Sequence, residues 1–241
     1  MPDLIVANVI VVVAALLQAC TGFGFSILAT PFLLLIFAPS EAIQINIILS
    51  ILISAAILPK IADDIDVQLL KKLVLGSVIG APFGMLIYLY GNPDSLRLAI
   101  GIIVLAFTGL ILCRFRIARS QRRDTVAGGL SGLLTSGLGM PGPPLLVYFA
   151  GAGITPAILR GTTLAYFLFI YSVSLGLQMV AGSASVDTVY TALALTPATA
   201  LGIVAGQFLF TRISHSVFMR IAYGLLLLTG TYLVGAALLG R

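Results

Sequence analysis

The chain has no tryptophan, one histidine and two cysteines, and only 9% of its 241 residues are charged. Each shortage removes a class of protein. A soluble domain carries about 25% charged residues, so this chain, 60% hydrophobic with mean hydropathy +1.16, reads as an integral membrane protein. Cys20 and Cys113 sit at or inside apolar runs, without disulfide or metal spacing, and read as small buried hydrophobes. His215 falls in a loop and reads as solvated. Without tryptophan, the interfacial belt must rest on tyrosines such as Tyr88, Tyr90 and Tyr232.

Acidic residues are scarce as well. All eight (Asp3, Glu41, Asp63, Asp64, Asp66, Asp94, Asp124 and Asp187) lie in or beside predicted loops. A proton-coupled pump usually carries an intramembrane carboxylate or histidine. Their lack points to potential-driven movement of an anion, or to coupling through the substrate's own protonation. No nucleophile–base pair or metal cluster is spaced for catalysis, so neither an enzyme activity nor a cofactor is expected. The net charge of +5 does not imply nucleic acid, because the basic residues cluster in short loops between apolar spans. Leu17-Gln18-Ala19-Cys20 has the look of a lipoprotein cleavage box. Residues 1–8 carry only Asp3, without a basic n-region, so 4–20 reads as part of the mature membrane domain.

What is present is an all-helical pattern. Apolar runs cover 4–20, 26–37, 41–59, 73–90 and 96–113, then 125–136, 145–152, 156–181, 188–210 and 217–239. A helix needs roughly 20 residues to cross the hydrocarbon core. The last three runs of each half are long enough, and the first two are short, as in broken or re-entrant helices. A repeat is legible: Gly22-x-Gly24 falls on Gly137-x-Gly139, Ala42 on Ala157, Gly80-xxx-Gly84 on Gly202-xxx-Gly206, and Arg97-x-Ala99-x-Gly101 on Arg220-x-Ala222-x-Gly224. The expected organisation is a first membrane repeat over 1–113, a basic cytoplasmic linker over 114–124 and a second repeat over 125–241. Five segments per half would turn the second repeat upside down.

Charge tests that topology. With each short pair as a there-and-back hairpin, Lys60, Lys71, Lys72, Arg114, Arg116, Arg119, Arg122, Arg123, Arg160, Arg212 and Arg220 lie inside, and only Arg97 and Arg241 outside. If each pair crossed once, Arg160, Arg212 and Arg220 would move outside. The hairpin topology is preferred, in the cell (inner) membrane with both termini outside the cytoplasm.

The two glycine stretches, Thr21-Gly22-Phe23-Gly24-Phe25 and Gly137-Leu138-Gly139-Met140-Pro141-Gly142-Pro143-Pro144, interrupt apolar runs. Irregular backbone at membrane depth survives only where it is buried or lines a wet cavity. Each stretch reads as a hairpin tip, after which a helix starts with free N–H groups and a positive dipole end. Two such ends facing one cavity make an anion site without a buried lysine. A packing-only hairpin is the bland alternative for either tip alone. Gly137 to Gly142 also matches G-x-G-x-x-G, but no strand precedes it and no acid follows about 20 residues on. The ridges Gly76-xxx-Gly80-xxx-Gly84 and Ala198-xxx-Gly202-xxx-Gly206 read as surfaces for close helix packing.

Candidate ligands inside the spans are Gln18, Ser26, Thr30, Asn46, Ser50 and Ser54, then Thr135, Ser136, Thr162, Thr163 and Tyr166. Arg160 is the one cation placed to reach the cavity; snorkelling to the interface is its alternative. The expected substrate-binding set is Thr21, Gly22, Phe23, Gly24, Phe25, Ser26, Asn46, Gly137, Gly139, Met140, Gly142 and Arg160. The glycines would admit backbone N–H groups to the anion, and Ser26, Asn46 and Arg160 would add side-chain donors.

These stretches resemble the sulfite exporter TauE/SafE family of membrane anion permeases. Gly22-Phe23-Gly24-Phe25-Ser26 with Pro31-Phe32-Leu33 stands where that family has Gly-x-Gly-Gly-Gly and Pro-x-Leu. Gly139-Met140-Pro141-Gly142-Pro143-Pro144-Leu145 stands for its Gly-x-Gly-Gly-Pro-Pro-Leu, and Arg160-Gly161-Thr162-Thr163 for its Arg-x-Thr. The resemblance implies transport of small anions, often sulfur-containing, across the lipid bilayer. Phe25 and Ser26 replace usual glycines and would reshape one wall, which extends the expectation from sulfite to an organosulfonate or a carboxylate. A channel on the same scaffold is one rival. A non-transporting scaffold protein is another, disfavoured because the longest loops are about a dozen residues. The sequence leaves the anion, the direction and a homo-oligomer open.

Overall fold

Between its prolines and glycines the chain folds as helix after helix. The computed structural model describes residues 2–113, 118–150, 154–209 and 215–238; Arg114, Arg116, Arg212 and Arg241 lie outside them, as do the side chains of Thr21, His215 and Arg220. Among the described residues there are ten α-helices, two short 3-10 turns and no strand. The first half holds α1 (Pro2–Thr21), α2 (Phe25–Leu33), α3 (Pro39–Ile57), α4 (Val67–Tyr90) and α5 (Pro93–Leu112). The second holds α6 (Gln121–Leu138), α7 (Gly142–Ala150), α8 (Pro156–Val180), α9 (Val186–Leu209) and α10 (His215–Leu238). Pro39 and Pro156 open α3 and α8, where a missing N–H costs nothing.

Two expected boundaries change. The first helix of each half is not short: α1 has 20 residues and α6 has 18, and only α2 and α7, nine each, are short. The added length at α6 is polar, Gln121 to Asp124, which an apolar count passes over. Ser120 caps that end by accepting from the Arg123 N–H. Likewise α4 starts inside the expected Lys60–Lys72 loop, because Asp66 accepts from the Leu69 N–H and caps it there.

Among the described residues, five helices are long and apolar enough to cross a membrane: Pro39–Lys60, Val67–Tyr90, Pro93–Leu110, Pro156–Val180 and Val186–Phe208. Their outward faces carry large exposed hydrophobics, such as Val78, Ile79 and Phe83 on α4 and Leu201, Val204 and Phe208 on α9. In water such a coat would aggregate; in lipid it is the solvent-matched surface. Of the tyrosines expected at the interface, Tyr90 and Tyr232 are exposed. Tyr88 turns inward instead, because Gln44 Nε2 donates to its hydroxyl at 2.8 Å. Cys113 is exposed rather than buried, and Cys20 is half-buried, its Sγ donating to the Gly206 carbonyl at 3.0 Å.

The halves interlock. Helix α4 packs on α6, α1 on α9, α5 on α10 and α3 on α8. The two small-residue ridges make the first two of these pairs, each against the first helix of the opposite half. A methyl group on Gly76, Gly80 or Gly84 would strike the Thr125, Gly129 or Leu133 carbonyl of α6. On Gly206 it would come within 2.7 Å of the Leu16 carbonyl of α1. Glycine there lets backbones touch, which is how helices associate where apolar burial drives nothing. At the centre lies α3, with Ile43, Ile45, Ile47, Leu49 and Ile53 all fully buried.

Candidate anion-binding site at the two helix breaks

The first break is made by two left-handed glycines, Gly22 (φ 79) and Gly24 (φ 107), a conformation that side chains resist. They reverse the chain between α1 and α2. Gly24 caps α2 without a side-chain bond, and the first N–H to bond back is that of Leu28, to the Gly24 carbonyl at 3.0 Å. The N–H groups of Phe25, Ser26 and Ile27 therefore stand at an open helix start. The second break is closed differently. Gly139 (φ 70) ends α6 in the left-handed conformation, its N–H bonding to Thr135 O and that of Met140 to Leu134 O, so the last carbonyls of the helix are satisfied. Helix α7 then begins at Gly142, followed by Pro143 and Pro144.

Each tip is held by the other half. The backbone of Gly22 lies on α8, so close that a methyl group would sit 2.9 Å from Arg160 Cα. The Gly139 carbonyl accepts from Asn46 Nδ2 of α3 at 2.6 Å and from the Tyr171 hydroxyl of α8 at 3.5 Å. Asn46 on α3 and Arg160 on α8 each serve the tip of the opposite half.

The two helix starts meet. A methyl group on Gly142 would lie 3.1 Å from Ile27 Cδ1 and 3.8 Å from Ser26 Oγ. Around this point the Tyr171 hydroxyl has the side chains of Ser26, Ser50 and Asn46 as its polar neighbours. All four residues are buried. Ser50 stands one turn along α3 from Asn46, on the same face. Yet the Ser50 hydroxyl and Asn46 Oδ1 make no hydrogen bond among the described residues. Buried polar atoms are normally paired, so these two mark a place built for something polar.

The expected site residues divide. Gly22, Gly24, Ser26, Asn46, Gly139, Gly142 and Arg160 line or hold the breaks as described above. Phe23 joins an aromatic row: its ring lies 6.2 Å from Phe149 and 6.0 Å from Phe167, and Phe167 lies 5.7 Å from Tyr171. Phe25 and Met140 are fully buried in the core. Gly137 faces α4, 3.1 Å from the Gly84 carbonyl by its missing methyl, and belongs to the α4–α6 contact. The side chain of Thr21 lies outside the described residues. Among the other candidates, Ser136 pairs with Ser174 at 2.8 Å, and the Tyr166 hydroxyl donates to Gly128 O at 3.2 Å. Gln18, Thr30, Ser54 and Thr163 are buried without hydrogen bonds among the described residues. Tyr171 was not among the expected residues. Its signal was a polar tip eight residues, about two turns, after Thr163.

At the end of α8 that carries Arg160, charges tie the loops together. Thr162 Oγ1 accepts from the Asp66 N–H at 2.9 Å, and Arg119 bridges Asp66 at 3.1 Å and Asp124 at 3.6 Å. The Tyr148 hydroxyl of α7 donates to Asp124 at 2.7 Å. Asp124, expected beside a loop, is 2% exposed because these partners enclose it. The Leu69 N–H and the Arg119 guanidinium hold the Asp66 carboxyl below its ordinary range.

The family model for the sulfite exporter TauE/SafE matches residues 7–233, which takes in both breaks and all ten helices in whole or part. No curated protein and no solved structure matches the chain. With that match over nearly its whole length, and with its apolar helices, the chain is a multi-pass membrane protein that belongs to the TauE/SafE family of membrane transporters of sulfite or related anions.

Proposed function

We propose that this protein is a carrier of a small anion, a sulfur-containing oxyanion or an organosulfonate, which binds where the starts of α2 and α7 meet. The observation that carries the reading is the meeting of the two helix starts, where a methyl group added to Gly142 would lie 3.8 Å from Ser26 Oγ, beside the unpaired Ser50 hydroxyl. Helix starts carry roughly half a positive charge each. Two of them, with hydroxyl donors and no water-exposed wall, stabilise an anion without a buried cation that would trap it.

Transport follows by alternating access in a scaffold of two inverted repeats, 1–113 and 125–241, with the 114–124 linker in the cytoplasm and both termini outside, in the cell membrane. Because α4 is zipped to α6 and α1 to α9, the rocking bodies would move these cross-half pairs as units. In this topology Arg160 stands at the cytoplasmic end of α8, and the aromatic row of Phe149, Phe23 and Phe167, which continues to Tyr171, would line the way to the site.

Flux into proteoliposomes under an imposed potential tests this, with sulfite, sulfate, thiosulfate, small sulfonates and a carboxylate. Saturable uptake of one or two anions that tracks the potential is expected. Unsaturated, linear conductance would replace the carrier with a pore, and no flux from folded protein would leave a scaffold.

A further inference from the structure

The shell at the helix starts is uncharged and asymmetric in its hydrogen bonding. Asn46 Nδ2 is committed to the Gly139 carbonyl at 2.6 Å, which fixes the amide's orientation, since a carbonyl can only accept. Asn46 Oδ1 is thereby left as a buried acceptor with no donor among the described residues. The Ser50 hydroxyl beside it is able to donate, and the Tyr171 hydroxyl can turn its one proton from the Gly139 carbonyl, 3.5 Å away, to a ligand. The Tyr171 hydroxyl has Ser26, Ser50 and Asn46 as its polar side-chain neighbours. Helices α2 and α7 carry no charged residue; α3 brings Glu41 in its first turn, and α8 brings Arg160. Arg160 lies eleven residues before Tyr171, about 16 Å at the helical rise.

From this donor and acceptor set we infer that the site selects an oxyanion that still carries a proton: a singly charged, monoprotonated ligand such as hydrogensulfite. Its oxygens accept from Ser50, Tyr171 and the N–H groups at the start of α2, while its own proton goes to Asn46 Oδ1. A fully deprotonated dianion has no proton for Oδ1 and sets an oxygen against it. A sulfonate has the right charge but turns an alkyl group to the acceptor, leaving it unpaired. A site built to pair a ligand's proton rejects the analogue that lacks it. This inference rests on the site assigned above and narrows its substrate class.

The test is calorimetric binding to the purified full chain, with sulfite and methanesulfonate titrated at acidic, neutral and alkaline pH, alongside flux of both in proteoliposomes. Sulfite should bind tenfold or more tightly than methanesulfonate, the worth of one unmade hydrogen bond. Its affinity, reckoned on total sulfite, should fall about tenfold per pH unit once the ligand's own proton is lost. Methanesulfonate, which does not titrate, should show no such fall. Ser50→Ala should weaken both ligands alike, because it removes a donor to oxygens they share. Equal affinity for the two, tighter sulfite binding at alkaline pH, or no binding of either overturns the inference. Proton-dependent sulfite binding without flux would sustain it and sink the carrier reading instead.

Discussion

The two breaks are built from like sequence and are held by unlike forces. The first, Gly22 to Gly24, is a packed joint: two left-handed glycines, with Arg160 against one and Leu17 against the other. The second, Gly139 to Gly142, is a bonded joint. Asn46 and Tyr171 reach the Gly139 carbonyl, and Ser131 donates to the Pro141 carbonyl at 2.8 Å. Their helix starts differ in the same sense. Helix α2 opens with Phe25, Ser26 and Ile27, each with an N–H to offer, while Pro143 and Pro144 withdraw two from α7. The first break supplies most of the donors, and the second is anchored so that the acceptor Asn46 Oδ1 stays in place.

The sharpest way to break that comparison is to add side chains. Gly24→Leu, at a left-handed position whose added carbon falls 2.5 Å from Leu17 Cδ2, should abolish flux while membrane insertion persists. Gly139→Leu should do the same, and normal flux in either variant would remove the site from these breaks. Alanine separates the two joints. Gly22→Ala drives a methyl group into Arg160 backbone and should cost about 2–5 kcal/mol, strain plus overpacking. Gly139→Ala meets side-chain atoms first, the Asn46 amide at 3.1 Å and the Ile43 Cγ2 at 3.3 Å, and should cost about 1–2 kcal/mol. Melting temperatures in detergent decide it, and an equal loss at both would end the packed-versus-bonded distinction.

Removing the bond itself comes next. Asn46→Ala should cost about 1–3 kcal/mol by leaving the Gly139 carbonyl short of a donor. Hydrogen exchange should then rise over residues 139–145 and stay unchanged over 22–28. Protection lost equally at both breaks would show that Asn46 braces the whole core. Tyr171→Phe, deleting only a 3.5 Å contact to that carbonyl, should cost under about 1 kcal/mol of stability while raising the KM for anion flux. An unaltered KM would take Tyr171 out of the binding shell.

The mildest effect is expected from acid. The Asp66 carboxyl is held below its ordinary 3.8, so the stability it lends is fully present above that value and lost as pH falls through its lowered one. Thermal stability in detergent should therefore fall below pH 3.8 less steeply in Asp66→Asn than in the parent chain. Identical acid profiles would show that the Asp66–Arg119–Asp124 cluster is indifferent to that charge.

Sequence was enough for the helices, the two glycine breaks and the ridges, and the reasons are local. Apolar runs without charge have one solvent to go to, glycine pairs and prolines punctuate helices through their own backbone limits, and small residues four apart line one face. Local pattern failed where a cap outweighed polarity: Asp66 starts α4 and Ser120 starts α6 in stretches that read as loops. It failed again where a partner was remote. Tyr88 looks like an interfacial tyrosine until Gln44 claims it, and Asp124 looks solvated until Arg119 and Tyr148 enclose it.

What this chain settled alone is that it lives in a membrane and breaks two of its helices there. Only the tertiary structure decided what each break touches. Gly137 matched the motif but packs on α4, and Tyr171 matched nothing but reaches the second break. The crossing of Asn46 to one tip and Arg160 to the other depends on two helices lying side by side, α3 on α8. That placement is made by contacts far apart in the chain, which no local spacing encodes.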